Sequence, residues 1–129
     1  MPSEIVVRTA PRESIGALPR RGKLGGELCL HDSQGNYLVE YVLPDRFPGG
    51  PSVPFKASFW AVQPGLTSPV DVHAVQEIWF VAQGAGIMLL GEESVEVRAG
   101  HAVYIPPGTR HCVKVTSSEE LTAFSVWWP

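Results

Sequence analysis

Glycine and proline punctuate this chain, 13 and 12 of them in 129 residues, and the pieces between them are short, apolar and without a helical repeat. A proline cannot donate a backbone hydrogen bond and a glycine readily turns the chain, so pieces bounded in this way form strands and turns rather than long helices. Strands are expected over residues 27–30, 37–43, 55–63, 78–82, 87–90, 94–98, 112–116 and 121–128, with turns at HDSQGN, QGAG, GEES and SSEE. Residues 94–98 alternate Val95 and Val97 with Glu96 and Arg98, the pattern of a half-buried edge strand. Residues 55–63 have no clearly polar face, which predicts a strand covered on both sides. No internal repeat and no low-complexity tract is present. Short strands at regular spacing read as a sandwich or closed barrel, an all-β chain.

The size fits one domain with enough apolar residues to form a core without disulfides. Residues 1–26 mix short apolar pieces with prolines, glycines and a basic turn at Arg20, Arg21 and Lys23, and read as an N-terminal arm with one short strand. Residues 27–129 then form a single barrel domain. A net charge of -3 without a basic stripe argues against nucleic acid and anionic membranes as partners. No apolar run approaches a bilayer span and no secretion signal opens the chain, so a cytoplasmic location is expected. Cys29 and Cys112 are read as two reduced thiols.

Chemistry concentrates in residues 65–84, GLTSPVDVHAVQEIWFVAQG, and 100–111, GHAVYIPPGTRH. Asp71, His73 and Glu77 fall at i, i+2 and i+6, so in an extended chain their side chains emerge on one face. His111 follows the turn at Pro106, Pro107 and Gly108, where a returning strand would present a fourth ligand. Imidazole and carboxylate together suit divalent first-row metals.

These stretches resemble the paired motifs of the cupin superfamily. Gly65, His73, Glu77 and Gly84 fit the first, and Gly100, Pro106, Gly108 and His111 the second, at the family spacing. Asp71 stands where a histidine is usual and Val115 where an asparagine is usual. The resemblance implies a double-stranded β-helix, or jelly roll, over about residues 45–128, with motif core 65–111. It also implies a metal held by Asp71, His73, Glu77 and His111, with Glu77 and His73 as catalytic groups. Two carboxylates and two neutral imidazoles would cancel a divalent charge, which favours Fe2+ or Mn2+ over Zn2+ or Ni2+.

Trp79 follows Glu77 by two residues and is expected to pack on substrate, with Tyr104 and Phe59 as further pocket aromatics and Arg110 as an anchor for an anionic group. His31 and His101 read as structural, and Cys112 as an inert thiol facing away from His111. The function implied by the resemblance is a metal-dependent enzyme acting on a polar small metabolite, by dioxygenase or by isomerase, cyclase or dehydratase chemistry. The alternatives are a metal-free cupin using His and Glu as acid and base, and a non-catalytic small-ligand binder. The arm and the weakly charged faces of residues 55–63 suggest a homodimer.

Overall fold

The computed structural model describes residues 6–8, 27–44, 46 and 49–129. Its elements in order are β1 (Val6–Arg8), β2 (Glu27–Ser33), β3 (Asn36–Val42), β4 (Lys56–Val62), β5 (Gln76–Gln83), β6 (Ala85–Leu90), β7 (Glu93–Arg98), β8 (Ala102–Ile105), β9 (His111–Val115) and β10 (Leu121–Trp128). Among the described residues there is no helix, and so none long and apolar enough to cross a membrane. Among the described residues the arm contributes a short strand, β1, paired antiparallel with β2. The rest of the arm, including Arg20, Arg21 and Lys23, lies outside the described residues.

Two sheets face each other. The larger runs β1-β2-β3-β4-β10-β5-β8 and the smaller β7-β6-β9, every pairing antiparallel. The roll expected over about 45–128 therefore begins earlier, because β2 and β3 belong to its larger sheet. β7 is the edge strand that its alternation predicted. The β2–β3 hairpin turns on Gln34 and Gly35, at φ 53° and 84°. Two successive positive φ values match the twist of a two-residue hairpin, so the turn sits one residue earlier than Gly35 and Asn36 would place it. β2 accordingly runs on through His31 to Ser33.

The main core lies between the sheets, where Trp60, Val62, Trp79, Val81, Met88, Val97, Ile105, Val113, Val115, Leu121 and Ala123 pack together. Smaller clusters cover the other face of β2, β3 and β4: Leu30, Val39 and Ala61 in one, and Tyr41, Leu43 and Ala57 in the other. β4 is thus covered on both sides, as its sequence suggested. Its phase matters for the site: Ser58, Trp60 and Val62 face inward, while Ala57, Phe59 and Ala61 face the outer clusters. Both cysteines are buried and free, and burial raises each thiol pKa, so neither is a reactive thiolate.

Candidate metal centre

The segment before β5 is not the continuous strand that the i, i+2, i+6 argument assumed. Asp71 makes an isolated bridge to His111, residues 72–75 belong to no strand and bend at 74–75, and regular strand begins at Gln76. The bridge is reciprocal: each backbone N–H donates to the other's carbonyl at 2.9 Å. Farther back, Ser68 N–H donates to Val113 O at 2.9 Å, and Ser68 Oγ accepts from Val113 N–H at 2.9 Å. The first motif is thereby laid along β9. Gly108 N–H also donates to His73 O at 2.8 Å, tying the second motif's turn back to the first. The motifs meet through backbone hydrogen bonds, and these bring their side chains together.

His73 Nδ1 donates to Val75 O at 3.0 Å and His111 Nδ1 to Thr109 O at 2.9 Å. A carbonyl can only accept, so each Nδ1 carries the hydrogen and each Nε2 is left for another partner. The two rings sit 5.0 Å apart, edge to face. One ligand atom each from Asp71, His73 and His111 lies within 4.8 Å of the others. Glu77, the fourth residue of the expected ligand set, adjoins that trio. Its Oε1 is 2.7 Å from His73 Nε2 and 3.5 Å from His111 Nε2, and its Oε2 accepts from Trp79 Nε1 at 3.0 Å.

The trio fits a divalent ion on a second ground. Asp71 Oδ1 is buried without a hydrogen-bond partner, a costly arrangement for a carboxylate unless a cation faces it. Burial pushes the Asp71 carboxyl above its ordinary value of 3.8, against the opposing pull of His111 and His73. For Glu77 burial pushes the same way, but hydrogen bonds and charge from His111 and His73 outweigh it and its pKa falls below 4.5. Burial would lower His111, yet the Glu77 hydrogen bond, the Thr109 carbonyl and the charges of Glu77 and Asp71 raise it above 6.5.

These shifts set a pH dependence for the metal-free chain. A histidine with a raised folded pKa adds stability that is fully present below 6.5 and is lost as pH rises through the folded value. Glu77, with its lowered pKa, adds stability present above 4.5 and lost as pH falls through the folded value. Held free of metal, the chain is expected to melt at a lower temperature at pH 8.5 than at pH 6. Calorimetry across that interval should show His111→Gln losing most of the difference.

A cavity of about 40 Å³ adjoins the trio, lined by His31, Leu38, Glu40, Trp60, Ser68, Pro69, Asp71, Glu77, Trp79, His111, Ser125 and Trp127. Of the expected pocket residues Trp79 belongs here, edge to face with Trp60 at 4.7 Å. Phe59, Tyr104 and Arg110, expected in the pocket, do not line this cavity. Phe59 packs on Phe124 at 4.7 Å on the opposite face of β4, and its neighbour Trp60 takes the inward position. Tyr104 is exposed on β8, donating its hydroxyl to Gln76 Oε1, and Arg110 is exposed beside the buried His111.

His31 and Glu40 are among the cavity residues that sequence reasoning missed. His31 was read as structural beside a turn, but β2 extends past it and it is buried at 4% exposure. The signal was present in β3: Glu40 sits inside the apolar run YLVEYV, and a carboxylate in such a run is either a surface interruption or a buried functional group.

The rolled antiparallel sheets, with an imidazole and carboxylate cluster carried by the β9 bridge and the start of β5, define a small double-stranded β-helix barrel with a candidate metal centre. The family model for the cupin domain matches residues 58–127, and the chain belongs to that family. It is 32% identical to a cupin 2 conserved barrel domain protein from Salinispora arenicola CNS-205, with a TM-score of 0.64 over 71% of this chain and 76% of that one. A protein of Photorhabdus luminescens is 26% identical, with a TM-score of 0.65 over 71% and 75% of the two chains. A double-stranded β-helix domain protein from Klebsiella pneumoniae, 22% identical at a TM-score of 0.63 over 76% and 81%, shares the fold. An uncharacterised Streptomyces coelicolor protein is 35% identical over 52 residues, 40% of this chain and 50% of that protein. One from Methanocaldococcus jannaschii is 41% identical over 42 residues, 33% and 34% of the two. The matches therefore span half or less of these curated relatives.

Proposed function

We propose that this chain is a small metal-dependent enzyme acting on a polar small metabolite, with Asp71, His73 and His111 as metal ligands and Glu77 as the proton-handling group. One observation carries the reading. Two imidazoles held through Nδ1 by backbone carbonyls each bring a ligand atom within 4.8 Å of one from Asp71, whose buried Oδ1 has no hydrogen-bond partner. Two histidines and one carboxylate, leaving open positions, suit iron(II) above the other first-row ions, with manganese(II) next. A bound ion would supply Lewis acidity toward a substrate oxygen and, if iron, the redox chemistry of a dioxygenase.

The chain's own residues do the rest. Glu77 exchanges its contacts with the imidazoles for a proton taken from, or given to, a substrate atom at Oε1, while Trp79 Nε1 holds Oε2 in place. Trp60, Trp79, Trp127 and Leu38 form apolar walls that limit water around that proton. Isomerase, cyclase or dehydratase chemistry would use the same groups without oxygen.

A second reading has its own observation: Glu77 already touches both imidazoles, so a metal-free acid and base pair is in place. Metal content after purification without added metal separates the two. A nearly stoichiometric transition metal, removed by dialysis against EDTA, is expected. Less than about a tenth of an equivalent, the level that loss of a needed ligand contact produces, would overturn the metal reading in favour of the second.

A further inference from the structure

A second polar group lining the cavity is built on different strands, β2, β3 and β4. Glu40 pairs across β2 with Cys29 and across β4 with Trp60, and its carboxylate reaches diagonally to both neighbours. Its Oε2 accepts from Ser58 Oγ at 2.5 Å, and its Oε1 lies 2.7 Å from His31 Nε2. His31, Glu40 and Ser58 are 4%, 4% and 0% exposed. His31 Nε2 is taken up by Glu40 Oε1, whereas His31 Nδ1 has no hydrogen-bond partner, although the side chain is buried and lines the cavity with Glu40. Buried imidazoles are ordinarily satisfied, so the spare capacity of this one is left for something that enters the cavity.

From this arrangement we propose that His31 and Glu40 form a second ligand-anchoring site, which holds the hydroxyl group of a short substrate whose carboxylate or carbonyl oxygen lies at the Asp71, His73 and His111 cluster. The proposal rests on the metal-centre reading for the far end of the ligand. A hydroxyl is the group that fits because it both donates and accepts, so it satisfies His31 whichever nitrogen carries the hydrogen. A second carboxylate would face the charge of Glu40 without desolvation relief and is disfavoured. The cavity also has apolar walls, Leu38, Trp60, Trp79 and Trp127, which match the hydrocarbon part of such a ligand. The cavity of about 40 Å³ is small, so the ligand is a short one. The ligand class is therefore a short hydroxy acid or hydroxycarbonyl compound.

The test uses the full chain loaded with manganese(II) and four probes: 3-hydroxypropanoate and 4-hydroxybutanoate, each against propanoate or butanoate of the same length. Titration calorimetry is expected to find at least one hydroxy acid bound about tenfold tighter than its deoxy partner, the gain of one good buried hydrogen bond. In His31→Leu that ratio should fall to near one with metal content unchanged. Glu40→Gln, which keeps the shape of the site, should reduce it as well and serves if His31→Leu does not fold. Equal binding of both members of each pair by the wild type, or a ratio that survives both substitutions, overturns the proposal. A purely structural pair would move the melting temperature and leave the ratio alone, which also overturns it. If the wild type takes up no metal, the metal reading alone fails, and the same ratio is read on the metal-free chain.

Discussion

Replacing His111 by alanine is expected to weaken binding of iron(II) or manganese(II) at least about 100-fold, more than the 10- to 100-fold that loss of a supporting partner costs. His111 contributes twice: it brings a ligand atom within 4.8 Å of those of Asp71 and His73, and its ring is packed against Trp79 at 5.7 Å. The backbone bridge between residues 71 and 111 survives the change because it uses only main-chain atoms, so the pocket should keep its shape while losing the ligand. Competition against a chromophoric chelator measures the loss, and an affinity within threefold of wild type would remove His111 from the ligand set. Asp71→Asn gives the complementary result. Since burial raises the Asp71 carboxyl above 3.8 in the fold, its ionised form costs stability near neutrality when no metal faces it. The metal-free asparagine variant should accordingly melt higher than wild type at pH 7 while binding metal more weakly.

The sequence carried much of this site, though not always for the reason that geometry would suggest. Strand parity put Glu77 and Trp79 on one face, and in β5 they do share it, Trp79 Nε1 donating to Glu77 Oε2. Extending the same parity back to Asp71 and His73 assumed a regular strand, whereas residues 72–75 belong to no strand. Those two side chains converge because the bridge to residue 111 and the Gly108 to His73 hydrogen bond pull the loop in, and such long-range pairings have no local signature. The pocket aromatics fared worse for a related reason. In β4 both faces are apolar and both are buried, so composition gives no phase, and Phe59 was chosen where Trp60 faces the cavity. In β8 the buried residue is Ile105 and the exposed one Tyr104, a choice that pairing with β5 decides.

His31 was lost by boundary rather than by phase. A strand read as ending at Leu30 leaves His31 in a turn, but the hairpin turns at Gln34 and Gly35 and so extends β2 through it. The extension sets Leu38 opposite His31 and Glu40 opposite Cys29, which gives the cavity its second polar group. The register of one hairpin thus decides whether the barrel holds one polar cluster or two, and turn residues that allow a shift of one position leave that open in the sequence.

Gly84→Ala is expected to destabilise the fold by about 2–6 kcal/mol, two terms adding: about 1–3 for a left-handed backbone carrying a side chain and about 1–3 for overpacking. Gly84 has φ +82°, and a Cβ there would stand 2.7 Å from Glu120 O and 2.9 Å from Leu121 Cα. Those are backbone atoms, so no rotamer change relieves the contact. Nor can the chain back away, because Ala85 next to it is fixed on both sides, its N–H donating to Ser117 Oγ at 2.9 Å and its carbonyl accepting from Thr116 N–H at 3.0 Å. The same residue lets the chain leave β5 in one sheet and enter β6 in the other, so the strain falls on the crossover itself. Thermal unfolding should show a midpoint lower by about 10–20 °C for a domain of this size. Gly100→Ala separates the two terms: at φ +92° with nothing within 4 Å of the added Cβ, it keeps the backbone strain without the collision. Its loss should be about 1–3 kcal/mol. If the two alanines cost the same, close packing of the crossover against Glu120 contributes nothing and Gly84 serves its φ alone. Metal affinity is the independent check, since Glu77 lies near the start of β5 and Gly84 just past its end. A folded Gly84→Ala chain should bind metal as the wild type does.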